Sequence, residues 1–310
     1  MKKKVFIDGS AGTTGIRIYE RLGAREDLEL LRLPEEKRKD PASRKEMLNA
    51  ADIVFLCLPD DASREAVGMI ENGHTVVIDT STAHRTLEGW AYGFPELSKA
   101  FEEKILHSKR IAVPGCHASG FIALVKPLID SGMLSKNAKL TCHSVTGYSG
   151  GGKKMIADYQ SEERSQLLDG PRQYALTQNH KHLKEMKAIC GLEHEPIFCP
   201  IVGDFYSGMT VTVPLFATDL NEGFTAEDIK KLYEEKYQTP IVFCAGADED
   251  AMVSAVGLAD KDSMGICVFG NEERILLVAR YDNLGKGASG AAVEVMNLIM
   301  GVDRKTGLNV

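Results

Sequence analysis

The chain has 310 residues, 44% apolar and 7% aromatic, enough for packed cores and, at roughly 100–200 residues per domain, for two of them. Lys and Arg number 37 against 44 Asp and Glu; the net charge of −7 argues against a protein that neutralises nucleic-acid phosphates or an anionic membrane surface. The longest apolar runs, such as Ile53 to Leu58, fall far short of the ~18 residues of a spanning helix. Near the N-terminus, Val5-Phe6-Ile7-Asp8 is too brief for a signal-peptide core and reads as a first strand, so a cytoplasmic protein is expected. The 7 cysteines are odd in number and lack a C-x-x-C pair, which predicts reduced thiols.

From Val5 to about Val113, strand-like and helical stretches alternate: Val5-Phe6-Ile7, Gly15 to Leu22, Leu28 to Leu33, Ser43 to Asn49, Ile53 to Leu58, Ser63 to Asn72 and Val76-Val77-Ile78. Parallel strands need crossovers that cover both sheet faces, so this order predicts an α/β unit with a Rossmann-type parallel sheet. Beyond Gly120 the chain carries longer strand candidates: Lys139 to Val145, Met209 to Ala217, Ile241 to Cys244, Met264 to Phe269 and Arg274 to Tyr281. The last two flank Gly270-Asn271, a hairpin signal, and a second unit with a mixed or antiparallel sheet and its own helices is expected. Gly290 to Met300 places Ala291, Val295, Leu298 and Ile299 at helical spacing, as for a tail helix packing back on the first unit. The division predicted is 1–115 with 286–310, and 116–285 between them.

Gly9-Ser10-Ala11-Gly12-Thr13-Thr14-Gly15 follows the first strand and opens a helix, where backbone N–H groups and the positive helix end converge on a pyrophosphate site. Its spacing departs from G-x-G-x-x-G, so its position in the doubly wound pattern carries the argument. A site specific for NAD would put a carboxylate near the end of the second strand; Arg32 stands there, with Lys37, Arg38 and Lys39 nearby, which favours NADP. The hydroxyls of Ser81 and Thr82 lie beyond the fourth strand, at the edge where cofactors collect.

Cys116 lies between the short strand Arg110 to Val113 and a helix read as amphipathic (Ile122, Val125, Leu128, Ile129), where the helix dipole favours a thiolate. Cys57, Cys199, Cys244 and Cys267 fall in apolar runs and read as small buried residues. A nucleophilic cysteine beside a nicotinamide implies thiolate attack on an activated acyl group, loss of the leaving group and reduction of the thioester to an aldehyde. Asn179 to Glu185 supplies His180 and His182, with Glu185 one helical turn beyond His182 to orient it. No standard zinc spacing accompanies this pair, and no metal is expected.

The loop Gly9 to Gly15, Pro114-Gly115-Cys116, Thr146 to Lys153, Tyr174 to Glu185 and Asn283 to Ala292 together resemble the N-acetyl-γ-glutamyl-phosphate reductase family. The resemblance runs in order along the whole chain, fits the shorter of the family's two forms, and extends in fold and mechanism to aspartate-semialdehyde dehydrogenase. It implies an α+β substrate and dimerisation domain and a dimer or tetramer. It also implies NADPH-dependent reduction of N-acetylglutamyl 5-phosphate to the semialdehyde and phosphate, a step of arginine biosynthesis.

By the same resemblance the nucleophile falls on Cys116 and the general acid/base on His182, while Tyr174, His180, Glu185, Ser149 and Lys153 lie on the substrate side and Asn283 and Gly287 on the nicotinamide side. Lys181 replaces an Arg of the longer form, and Tyr206-Ser207-Gly208-Met209 lacks the arginine often found before that glycine. The positive charge for the substrate phosphate then comes from Lys153, Lys154, His180 or Arg110. Competing readings are reduction of another acyl phosphate (aspartyl, or carrier-bound aminoadipyl or glutamyl) and a non-catalytic NADPH-binding regulator. Retention of Cys116, His182 and Glu185 together weighs against the regulator.

Overall fold

The computed structural model describes residues 2–310 and divides the chain into two compact units, Met1–Gly115 with Ala288–Asn309, and Cys116–Gly287 with Val310. The first unit contains β1 (Lys3–Asp8), α1 (Thr13–Leu22), β2 (Leu28–Leu31), α2 (Pro41–Ala50), β3 (Ile53–Leu56), α3 (Asp60–Gly68), β4 (Val76–Asp79), β5 (Ala91–Tyr92), α4 (Lys99–Leu106) and β6 (Arg110–Ala112). Its sheet is wholly parallel, in the order β2-β1-β3-β4-β6-β5. Alternate strand residues feed two cores: Val5, Ile7, Phe55 and Ile78 on one face, Phe6, Val54, Leu56 and Val77 on the other. Burial of both faces explains why these strands read as continuous apolar runs. The strand order reverses between β1 and β3, which opens a crevice at their carboxyl ends, where the glycine loop lies.

The second unit contains α5 (Cys116–Asp130), β7 (Thr141–Gly147), α6 (Gly152–Gln160), β8 (Arg172–Gln173), α7 (Lys181–Cys190), β9 (Ile197–Gly203), β10 (Met209–Phe216), α8 (Ala226–Lys236), β11 (Val242–Cys244), β12 (Met264–Gly270) and β13 (Arg274–Tyr281). They build a mixed sheet, β11-β12-β13-β10-β7-β9-β8, with the predicted β12–β13 hairpin antiparallel. Strand β9, parallel to β7, was not predicted, because Pro200 interrupts its apolar pattern. Helix α5 is not amphipathic: His117 to Val125 are all buried, so it crosses the core. Inward residues of β10, Met209, Val211, Val213 and Leu215, are buried, whereas Phe216, Leu276 and Ile197 on the opposite face are 61%, 43% and 60% exposed.

The last helix, α9 (Gly290–Met300), returns to the first unit, where Ala291, Ala292, Val293, Val295 and Met296 complete the core of Val5, Ile7 and Phe55. Arg304 then bridges the buried carboxylates of Glu96 and Glu294. No helix among the described residues is long and apolar enough to cross a membrane.

Candidate active site

In the first unit, β1 leads into Gly9, whose φ of +86° suits glycine and whose added Cβ would lie 2.3 Å from the Cys57 carbonyl oxygen. The Gly12 N–H donates to the Gly9 carbonyl at 2.9 Å, and α1 begins at Thr13, two residues before the Gly15 predicted. Ser10, Gly12, Thr13 and Thr14 therefore form the amino end of α1, where N–H groups lack intrahelical acceptors, while Gly15 is buried in its first turn. Beside the loop opens a cavity of about 730 Å³ lined by Asp8, Gly9, Ser10, Arg32, Arg38 and Lys39. The Arg32 guanidinium lies 4.8 Å over the Tyr19 ring. The glycine cradle fits a dinucleotide, and Arg32, Arg38 and Lys39 share the cavity rim with Glu35 and Glu36.

Ser81 and Thr82 are both hydrogen-bonded within the first unit. The Ser81 hydroxyl donates to Asp79 Oδ2 at 2.7 Å and accepts from the Ala83 N–H at 3.2 Å, and the Thr82 hydroxyl donates to Asp60. His84 donates from Nδ1 to Asp79 at 2.6 Å and stacks on Trp90 with centroids 4.0 Å apart. The Ser81 hydroxyl thus holds its own loop, and that of Thr82 ties the loop to Asp60, the first residue of α3. Arg110 is engaged by backbone carbonyls. It opens the amino end of β6, donating to the Thr75 and Lys109 carbonyls, and the glycine loop lies at the carboxyl edge of that sheet.

In the second unit, Cys116 is the half-buried first residue of α5. Its carbonyl accepts from the Tyr281 hydroxyl at 2.5 Å, and that hydroxyl accepts from the Gly120 N–H at 3.0 Å. A Cβ on Gly287 would come 3.2 Å from the Cys116 Cβ, so glycine there keeps the thiol's flank open.

The histidines gather around His117, a residue to which the sequence reading gave no role. His117 is 3% exposed, and its ring centroid lies 6.0 Å from His180, 5.6 Å from His182 and 5.2 Å from Phe198. Its Nδ1 is 2.7 Å from Ser144 Oγ and its Nε2 is 2.6 Å from Tyr174 Oη. Burial, then the charge of His180, pushes its pKa down from 6.5 to about 3, so the ring is neutral. His180 caps α7, its Nδ1 accepting from the His182 N–H at 3.3 Å. His182 and Glu185 are both buried one turn apart on α7. Burial, then the neighbouring Cys116, holds the Tyr174 hydroxyl well above the usual phenol range.

Ser149 is buried and accepts from Asn283 Nδ2 at 3.0 Å, while Asn283 Oδ1 accepts from the Gly208 N–H at 2.9 Å. Asn283, predicted beside the nicotinamide, thus spends its amide tying the Gly208 turn to Ser149. Lys153 and Lys154 are exposed in the first turn of α6. Ser144 and Tyr281 escaped the sequence reading; the signals that could have found them are the inward parity of Ser144 with Cys142 and Thr146 on β7, and, for His117, adjacency to Cys116. Cys244, read as buried, is exposed at the end of edge strand β11.

Residues 4–105 match the family model of the semialdehyde dehydrogenase NAD binding domain, and residues 116–283 that of the semialdehyde dehydrogenase dimerisation domain. The chain is 47% identical over 308 residues to the N-acetyl-γ-glutamyl-phosphate reductase of Sinorhizobium medicae, covering 97% of this chain and 99% of that protein. It is 42% identical over 320 residues to N-acetyl-γ-glutamyl-phosphate reductase 2 of a Nostoc species, covering 99% of each. Among solved structures, aspartate semialdehyde dehydrogenase II from Vibrio cholerae superposes with a TM-score of 0.72 at 18% identity, over 97% of this chain and 99% of that one. Aspartate semialdehyde dehydrogenase from Candida albicans, solved with NADP, gives 0.69 at 15% identity over the same shares. These structures share the fold.

Proposed function

The chain belongs to the N-acetyl-γ-glutamyl-phosphate reductase family of semialdehyde dehydrogenases, and from that premise we propose that it reduces N-acetylglutamyl 5-phosphate through a thioester on Cys116, using NADPH. The observation that carries the reading is Cys116 opening a buried helix beside Gly287, with Tyr174 coupled to it electrostatically.

The Cys116 thiolate adds to the acyl carbon, and collapse of the tetrahedral centre expels phosphate. His182 takes the thiol proton and returns it to sulfur when the aldehyde departs, with Glu185 one turn away to orient the ring. When bound, the nicotinamide cofactor supplies the hydride. The loop Gly9, Ser10, Gly12, Thr13, Thr14 and Gly15 would hold its pyrophosphate. Arg32, which has no ion pair among the described residues, would meet the 2′-phosphate of NADP. Lys153 and His180 would face the substrate phosphate. A cytoplasmic setting suits this step of arginine biosynthesis. The open sheet face of Ile197, Phe216 and Leu276 would pack against a second copy, consistent with the matched dimerisation domain.

The test is phosphate-dependent reduction of NADP with N-acetylglutamate semialdehyde beside aspartate semialdehyde. Activity with the first and little with the second is expected; the reverse would overturn the substrate. Arg32→Asp should narrow the preference for NADP over NAD, and equal dissociation constants for the two in the unaltered protein would overturn the cofactor assignment.

A further inference from the structure

Ser144 is fully buried, and His117 Nδ1 is the sole hydrogen-bond partner of its hydroxyl among the described residues. A buried hydroxyl proton without an acceptor is costly, so Ser144 donates and Nδ1 accepts. A neutral imidazole carries one proton, which places it on Nε2. That N–H then donates to Tyr174 Oη, 2.6 Å away. The direction of the chain is therefore set at its buried end. The phenolic oxygen acts as acceptor toward His117, and the Tyr174 proton is left to point elsewhere. The opposite tautomer would tie the Tyr174 proton to Nε2 and strand that of Ser144.

We propose that Ser144 and His117 are positioning residues that lock His117 as the Nε2–H tautomer and so aim the Tyr174 O–H at the acyl oxygen that becomes negative when Cys116 adds. This rests on the reading of Cys116 as nucleophile of an acyl-phosphate reductase. In the step itself, sulfur forms a bond to the acyl carbon and the carbonyl π pair moves to oxygen. Tyr174 donates a hydrogen bond to that oxygen without losing its proton, and the pair returns as the bond to phosphate breaks. The titratable groups around His117 are Tyr174, His180 and His182, each packed within about 6 Å, ring to ring.

The tautomer can be read without substrate. In full-length protein carrying ¹⁵N-labelled histidine, long-range ¹H–¹⁵N spectra, with His117 assigned by its loss in His117→Gln, should show unprotonated Nδ1 and protonated Nε2 between pH 5.5 and 8. A protonated Nδ1, or a ring that titrates in that range, would overturn the proposal. In turnover, Tyr174→Phe should lower kcat by about 10²-fold, as for loss of one oxyanion donor, and Ser144→Ala by about tenfold, with NADPH affinity retained in both. The double variant should be no slower than Tyr174→Phe; losses that multiply would show that Ser144 acts independently of Tyr174 and overturn the chain. The expected tautomer in a protein inactive toward every acyl phosphate would support the hydrogen-bond chain and sink the reading of the reaction instead.

Discussion

The Tyr281 hydroxyl sits 2.5 Å from the carbonyl oxygen of Cys116, binding the last residue of a sheet strand to the first residue of the helix that carries the thiol. The phenolic oxygen of Tyr281 in turn accepts the Gly120 N–H, so one phenol fixes the first turn of α5. Tyr281→Phe would remove both of these hydrogen bonds from the buried first turn of α5. A loss of about 1–3 kcal/mol in urea unfolding is expected, with a reduced kcat. Unchanged stability would show that the turn holds itself.

Thiol reactivity should single out Cys116. Burial pushes Cys57 up to about 12 and Cys267 up to about 11, and drives Cys142 and Cys190 higher still, so these are thiols at neutral pH. The competitors are Cys244, which is exposed although desolvation raises its pKa, and the half-buried Cys199. Limited iodoacetamide labelling followed by mass mapping should find Cys116 modified first. Cys116→Ser should abolish reduction while NADPH still binds, and prior labelling of Cys244 or Cys199 would count against Cys116.

The two histidines of α7 should separate kinetically. General acid/base catalysis is worth about 10²–10⁴ in rate, so His182→Asn should lower kcat by that order and leave the Kd for NADPH near its original value. His180→Asn should chiefly raise KM, and Glu185→Gln should act more mildly than His182→Asn. A His180 variant dead in kcat beside a nearly normal His182 variant would exchange the roles.

Acid should loosen the second unit through His117. Its folded-state pKa, about 3, lies below the ordinary 6.5, so the folded protein keeps the ring neutral while the unfolded chain protonates it. The associated stability is complete above pH 6.5 and is lost as pH falls from 6.5 toward 3, by up to about 1.4 kcal/mol per pH unit. Urea unfolding at pH 7.5, 6 and 5 should show a shallower decline for His117→Gln; parallel declines would disprove it.

The exposed sheet face predicts self-association. Leu276→Asp with Phe216→Asp should convert an oligomer at micromolar concentration into a species of the 33.9 kDa chain mass by light scattering. A protein that is monomeric before substitution would refute this use of the face.

Much of the first unit was legible because a parallel sheet buried on both faces writes its strands as unbroken apolar runs, and because Gly290 to Met300 keeps helical spacing to its observed ends. Cys116 and the His180–His182 pair were also visible, since glycines, small residues and spacing mark them locally. His117 was not, because its role depends on partners 27 and 57 residues away, supplied by the inward parity of β7 and the segment after β8. The Ser81 bond was not legible for the converse reason: a hydroxyl at a strand's carboxyl end looks the same in sequence whether or not it donates to a carboxylate such as that of Asp79 two residues earlier. Side-chain hydrogen bonds of this kind leave no periodicity to read.

The return of α9 to the first unit has a consequence for synthesis on the ribosome. Val5, Ile7 and Phe55 belong to a core that Ala291 to Met296 complete, yet all of residues 116–287 are translated between them. The nascent N-terminal sheet therefore emerges with one face short of its covering helix and waits for it while the other unit is made. Such a chain has long-range contacts to close late and apolar surface to shield in the meantime. The first strand to leave the ribosome is among the last to be fully covered.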